Sequence, residues 1–441
     1  MLLSVRHLGL YTLSSAKFSK AKNLLVFAYV SFFLMWFIAY GSFIAQLASS
    51  GAIFFERFKE QNLHCDFVCF YETGKIALSE DRTKPYDPAV QLKWLNTLSP
   101  FPNDRPPYIQ YVPFVFVMMA PLAMLPMPAA ILCWNTFTLT CAIAGMTLLG
   151  RANKLSKKAT ASLIIVSLAT GSAFVTLRTG QSSFLILGIL CLFYWALLKR
   201  NQPATGIAAA LTTLKIQYAP AAGLPLLATA NWRAIFLAVC TVVAMLFVAG
   251  LNMGFENIIN YPLHLLKLEE YGTSYGVKGL EMVSLRGVLE YTLGDKLAFK
   301  ILLALSAVGA AFLLFLWRKH ASAGIAHVRW LAALTIVWQL LFSLHGHFYD
   351  GVLLSVAPIM IPPLVDTDSL EEQPWQTNRT AKHFWSFLWL TFPIATWTQF
   401  FLLFMLPEPP RYLSWVVTVW LLMLMISAWT LRPQKRADSE V

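Results

Sequence analysis

Ionisable and polar side chains stand among apolar neighbours at a few separated points of this 441-residue chain, and their types suggest acid–base chemistry and the binding of an anion. Asp66 lies in His64-Cys65-Asp66-Phe67-Val68-Cys69-Phe70-Tyr71, with Glu72 next. A carboxylate held among aromatic and aliphatic groups is drawn out of water, which raises its pKa and makes it a better base. A helix cap or an ion-pair partner would use the same residue. Arg178-Thr179-Gly180-Gln181 reads as a tight turn, in which Arg and Gln offer planar, multidentate donors; an arginine reaching for water is the plainer reading. Lys215-Ile216-Gln217 interrupts an apolar stretch and suits a phosphate or a nonspecific headgroup contact. His345-Gly346-His347-Phe348-Tyr349-Asp350 holds two imidazoles, a phenol and an acid, suited to phosphate binding, proton transfer or a metal. His-x-His with one Asp is incomplete as a zinc site, so no metal is expected. Arg286, in Ser284-Leu285-Arg286-Gly287, says little alone. Cys65 and Cys69 are four apart and share a helix face; an oxidising compartment would permit a disulfide, and two packed thiols are the alternative.

The elements that must position these residues are helices in a membrane. The chain is 57% hydrophobic and only 13% charged, about half the charge of an ordinary soluble protein. Apolar runs of span length recur along it: 24–48, 129–149, 159–177, 183–198, 234–250, 297–317, 330–344, 384–406 and 413–431, with 351–364 shorter. Lys215, Gln217, Pro220 and Pro225 break the run 204–230 into two short helices, expected to form a hairpin. The expected architecture is an all-α integral membrane protein, residues 1–441 forming one polytopic domain of about 12 transmembrane helices. The net charge of +12 is dispersed through short loops, a pattern that reports orientation and argues against nucleic acid. If the basic loops around Arg151, Lys199, Arg233, Arg318 and Arg432 are cytoplasmic, the long loops 49–111 and 251–296 lie outside, and Asp66, Glu72, Arg178, Gln181, Lys215, Gln217, Arg286, His345, His347 and Asp350 gather on that outer face. The alternation closes only if the proline-flanked segment 112–125 is re-entrant or half-buried rather than a full crossing.

In this order, the fragments resemble glycosyltransferase family 87. They are Asp66 with Phe70-Tyr71, Gly74 and Tyr86-Asp87; Pro106-Pro107 through Pro113 to Pro121-Leu122-Ala123-Met124-Leu125-Pro126 and Trp134; Arg178-Thr179-Gly180-Gln181; Lys215-Ile216-Gln217 followed by Asn231-Trp232-Arg233; Ser284-Leu285-Arg286-Gly287; and His347-Phe348-Tyr349-Asp350 up to Pro358. The resemblance implies a GT-C-type fold and sugar transfer from a polyprenyl-phosphate donor, as in the family's polyprenol-phosphate-mannose-dependent α-mannosyltransferases. It implies Asp66 as general base in an inverting displacement. Lys215, Arg286, His345 and His347 would be donors to the leaving phosphate, and Arg178 and Gln181 would order the pocket or contact the sugar. Gln217, Tyr349 and Asp350 complete the expected substrate-binding set. No cofactor is implied. The expected partners are the lipid-linked sugar, a glycolipid or glycan acceptor and the bilayer, in a bacterial cytoplasmic membrane with the site on the periplasmic face. Two departures, Ser182-Ser183 after Gln181 and Ile216 where the family usually has proline, leave the sugar open.

A flippase or transporter for a lipid-linked sugar would want charges at mid-depth in several helices and access from both faces. The helix centres here are nearly uncharged and no internal repeat is visible. A ligase moving a whole glycan would share the outer face and differ in its donor, and a non-catalytic scaffold has little use for so many apolar-flanked ionisable groups.

Overall fold

The computed structural model describes residues 66–98, 106–271, 281–363, 379–404 and 415–433, with four isolated helical positions in the first apolar run. The expected span 24–48 and the pairing of Cys65 with Cys69 fall outside the described residues. Those described are helical, joined by turns, and the one strand-like feature among them is a bridge between Met282 and His347.

α1 (Asp66–Ala77) and α2 (Pro88–Leu98) precede α3 (Pro113–Ala123) and α4 (Met127–Ala152). α5 (Lys157–Leu168) and α6 (Gly171–Thr179) are bent by 66° at a short break. The buried helix α7 (Ser183–Leu198) follows, then α8 (Gln202–Leu211), a 3-10 segment (Thr212–Tyr218) and α9 (Ala219–Thr229). The remainder comprises α10 (Trp232–Met253), α11 (Phe255–Tyr271), α12 (Leu285–Leu293), α13 (Asp295–His320), α14 (Ile325–Leu341), a 3-10 segment (Phe348–Ser355) leading into α15 (Val356–Met360), α16 (Arg379–Phe404) and α17 (Trp415–Thr430).

The protein is an integral membrane protein by its apolar helices. Among the described residues three are long and apolar enough to cross a membrane, Met127–Ala152, Trp232–Met253 and Asp295–Ala323, or four with the bent pair. Others expected as spans are shorter: α7 has 16 residues and α14 has 17. α3 has 11, roughly 16 Å at 1.5 Å per residue and about half a hydrocarbon core. Pro113 opens it, where a missing N–H costs nothing.

Two features hold the site's scaffold. Small residues bring backbones together: a Cβ on Gly188 of α7 would stand 2.6 Å from Cys141 O of α4, and one on Gly145 of α4 would stand 2.8 Å from Gly188 O. Packing at that range is a main source of helix association where lipid removes the hydrophobic driving force. The break between α5 and α6 is satisfied by protein. Thr170 Oγ1 caps Ala173 N at 3.1 Å, Gly171 N donates to Thr396 Oγ1 at 3.0 Å, and Trp397 Nε1 donates to Ala169 O at 2.8 Å. Non-helical backbone persists at such depth where neighbouring side chains replace its lost bonds. The expected pair of short helices in 204–230 is present, with Lys215 non-helical between them (φ −131°, ψ 83°). They pack chiefly on different partners, α8 on α7 and α10, α9 on α13.

Candidate active site

The turn after α14 gathers most of the site. Val283 N donates to Gly346 O at 2.8 Å, and Met282 bridges to His347, so the segment before α12 zips onto His345–His347. Asp350, whose side chain is fully buried, closes the turn. Its Oδ2 accepts from His347 N at 3.2 Å, and its Oδ1 accepts from Ser183 Oγ at 2.6 Å and Lys215 Nζ at 2.5 Å. Lys215 Nζ also stands 4.6 Å from the centroid of the Tyr349 ring, which in turn stacks on His347 at 5.1 Å. Gln217 Nε2 donates to His345 O at 3.1 Å, while Gln217 O receives Gln339 Nε2 of α14 at 2.7 Å. The kink at Lys215 is thus tied to the histidine turn on both sides.

Asp66 reaches this group from the first residue of α1. Gly180 ends α6 in the left-handed region (φ 67°), and a Cβ there would lie 2.6 Å from Phe67 Cβ. That contact sets the start of α1 against the Gly180–Gln181 turn, whose far side is held by Trp134 Nε1 to Gly180 O at 2.8 Å and Asn135 Nδ2 to Leu177 O at 2.9 Å. Burial raises the Asp66 pKa to about 6; a hydrogen bond from Gln181 and the charge of Lys215 pull it down, while Glu281 and Asp350 push it up. A base with that pKa is largely ionised at neutral pH yet keeps a real affinity for a proton. His347 is pushed the other way, down to about 3, first by burial and then by nearby cations against the pull of Asp350. It is a neutral imidazole, so it can serve a phosphate as a hydrogen-bond donor but not as a cation. Burial raises the Tyr349 phenol well above its ordinary range, so it stays protonated.

The expected residues Asp66, Gln181, Lys215, Gln217, His345, His347, Tyr349 and Asp350 therefore come together. Arg286 lies one layer out. Its Nε pairs with Glu290 at 2.5 Å, its Nη2 with Asp295 at 3.1 Å, and its Nη1 donates to Leu344 O at 2.9 Å, so its charge is balanced while it braces the histidine turn from behind. Arg178 sits half-buried on the last turn of α6, three residues before Gln181. Glu72 is fully buried with neither oxygen hydrogen-bonded, and burial pushes it up to about 9, which makes it a neutral acid. Two members were not expected in the site from the sequence. Ser183 is an ordinary helix-opening serine until the fold sets Asp350 beside it, and Glu281 acts on Asp66 only because Met282 bridges to His347. Among the described residues no three His, Cys, Asp or Glu side chains form a group that could hold a metal ion.

Chemically, the arrangement sets a desolvated carboxylate opposite a compensated cation, a neutral imidazole and a phenol. One side can take a proton while the other presents donors to developing negative charge. No curated protein and no solved structure matches the chain. Residues 108–343 match the family model of glycosyltransferase family 87; Asp66 precedes that stretch and His345–Asp350 directly follow it. The match covers more than half of the molecule, and the chain belongs to glycosyltransferase family 87.

Proposed function

We propose that this protein transfers a sugar, mannose by family resemblance, from a polyprenyl-phosphate donor to a hydroxyl of a glycolipid or glycan, on a GT-C-type scaffold at the external face of the membrane. The observation that supports this best is Asp66, raised to about 6 and facing the Lys215–Asp350 and His347–Tyr349 group. The acceptor hydroxyl gives its proton to the Asp66 carboxylate. Its oxygen forms the new bond to the anomeric carbon as the bond from that carbon to the phosphate oxygen breaks, and polyprenyl phosphate leaves with the electron pair. One base opposite one leaving group suits inversion; retention by double displacement would need a second carboxylate as nucleophile.

The leaving phosphate gains charge as the bond breaks, and donors already in place lower that barrier. The Lys215 ammonium, the His347 N–H and the Tyr349 hydroxyl are the candidates. Asp350 and Ser183 hold Lys215, and Arg286 holds the backbone that carries His345. Gln181 orients the base. The apolar α3, packed on α1, offers a wall for the polyprenyl chain.

Sugar transfer by the purified protein in nanodiscs tests the reading, with radiolabelled polyprenyl-phosphate mannose, an acceptor lipid extract and an Asp66→Asn control. Label should enter a new lipid only with the intact carboxylate. Equal transfer by both proteins would remove Asp66 as base, and donor binding without turnover would favour a flippase.

A further inference from the structure

Residues 108–112, which lead into α3, are neither helical nor paired as a strand. Val112 precedes Pro113, whose ring keeps it extended (φ −58°, ψ 147°). Backbone groups in such a stretch need partners from elsewhere, and side chains of other segments supply them. His264 Nε2 of α11 donates to Ile109 O at 3.0 Å, the Tyr261 hydroxyl of α11 to Gln110 O at 2.9 Å, and the Tyr86 hydroxyl to Tyr111 O at 2.8 Å. Ile109 N donates to Gln91 Oε1 of α2 at 3.2 Å. The aromatic clamps also pack on one another, the Tyr86 ring lying 4.4 Å from the His264 ring and 5.7 Å from that of Tyr261. Three successive carbonyls are thus each held by a ring, which fixes the path of the chain at Tyr111.

What this clamp positions is the Tyr111 side chain. Its ring stacks on Phe70 of α1, with centroids 4.2 Å apart and planes 12° apart. Phe70 is one helical turn beyond Asp66, so the two side chains share a face of α1. Behind Phe70, 5.8 Å away, stands Trp134, which holds the Gly180 turn. Tyr111 also stands near Tyr349, being among the groups, with Asp66 and Asp350, that push that phenol up. Exposure separates the supports from the lining. Phe70 is 3% exposed and Trp134 2%, whereas Asp66, Lys215, His345, His347, Tyr349 and Tyr111 are each partly exposed. Tyr111 therefore lines the same opening as the base and the donors. A rigid ring carrying one hydroxyl has an apolar face and a polar edge, which match the C–H face and the hydroxyls of a sugar. The base decides which sugar: Asp66 must touch the attacking hydroxyl, so the ring on its side of the opening meets the acceptor, with the leaving phosphate at Lys215 and His347.

We propose that Tyr111 is an acceptor-binding residue, packing on the sugar ring whose hydroxyl faces Asp66, and that Tyr86, Tyr261 and His264 position it. The proposal rests on the transfer reading above for the role of Asp66. It adds a residue to the site and gives the loop before α3 a function, since side chains that hold substrate are themselves held by a supporting layer.

The test uses the full-length protein with radiolabelled polyprenyl-phosphate mannose and graded amounts of an acceptor lipid extract. Tyr111→Ala should raise the amount of extract needed for half-maximal transfer by about 10-fold while the donor KM moves by less than about 3-fold. Tyr111→Phe, which keeps the ring, should stay within about 3-fold of the parent in both. If Tyr111→Ala fails to fold, Tyr111→Leu, which fills much of the space without an aromatic face, carries the comparison. Equal changes in both constants, or none, would overturn the proposal. Thermal melting in neutral detergent reads binding without turnover. The extract should raise the melting temperature of the parent by about 2 °C but not that of Tyr111→Ala, and extract whose sugar rings have been opened by periodate should raise neither. No rise in the parent, or a rise that persists in Tyr111→Ala, would overturn the proposal. Absence of transfer by a parent that still shows this Tyr111-dependent rise would fail the transfer reading and keep Tyr111 as a sugar contact.

Discussion

Asp66 must be ionised to accept a proton, so transfer should rise with pH through about 6 and level off above it. Stability runs the opposite way. The folded pKa exceeds the unfolded one, so the stabilisation is full below 3.8 and is lost as pH rises through about 6. At neutral pH the ionised carboxylate therefore costs on the order of 3 kcal/mol. Asp66→Asn should lose at least about 100-fold in kcat and yet melt higher than the parent at pH 7; lower melting would mean that the carboxylate supports the fold. His347, held neutral, should contribute no titration between pH 5 and 8. His347→Gln keeps an N–H donor and should retain more activity than His347→Ala, for which a loss of about 100-fold in kcat is expected. Equal losses would make the imidazole a packing group only. Asp350→Asn leaves the Lys215 cation without its counter-charge and should destabilise by about 3 kcal/mol, read as a lower melting temperature.

The helix and turn geometry behind these groups is exacting at a few glycines. Gly180 has φ 67°, and the Cβ of an alanine there would be driven into Phe67. Gly180→Ala should therefore move the start of α1 away from Gln181. Strain in the left-handed region costs about 1 kcal/mol. The larger effect is expected in kcat, since displacing a catalytic group by about 1 Å can cost 100-fold. A fall in kcat well beyond any change in donor KM is the expected signature, and unchanged kinetics would detach Asp66 from this turn. Within α1, Glu72 buries a carboxyl with no partner. Glu72→Met should thus be neutral or stabilising by about 1–2 kcal/mol, and clear destabilisation in melting would point to a bound cation or water at that acid.

At the scale of the molecule, the bilayer explains what water would not tolerate. α10 exposes Trp232, Phe236, Val239, Val243 and Phe247 along one stripe, the helical spacing of a lipid-facing side. A nitroxide at Val243 should be relaxed by oxygen and shielded from a water-soluble nickel reagent; the reverse would remove α10 from the bilayer. α11 is amphipathic in a different sense. Phe255, Ile259, Leu263 and Leu266 are exposed, while Tyr261 hydroxyl and His264 Nε2 contact Gln110 O and Ile109 O on the other side. Such a helix suits the membrane interface better than a crossing.

Apolar runs, charge dispersal and proline breaks are local properties of the chain, so the helical membrane class, the interruption at Lys215 and the short segment after Val112 were legible from the sequence. Most of the polar set was legible for the same reason: a charged residue against apolar neighbours stands out in one dimension. Partnership was not. Arg286 read as a donor to the leaving phosphate and is balanced by Glu290 and Asp295; His347 read as another such donor and is neutral by burial. Ser183, noted only as a departure from the family pattern, and Glu281 were not expected in the site and join it across long separations. Where α5 and α6 bend, side chains from α16 replace the lost backbone bonds. Charge state and pairing are set by what lies within a few ångströms, and for this chain that neighbourhood exists only once distant segments have packed.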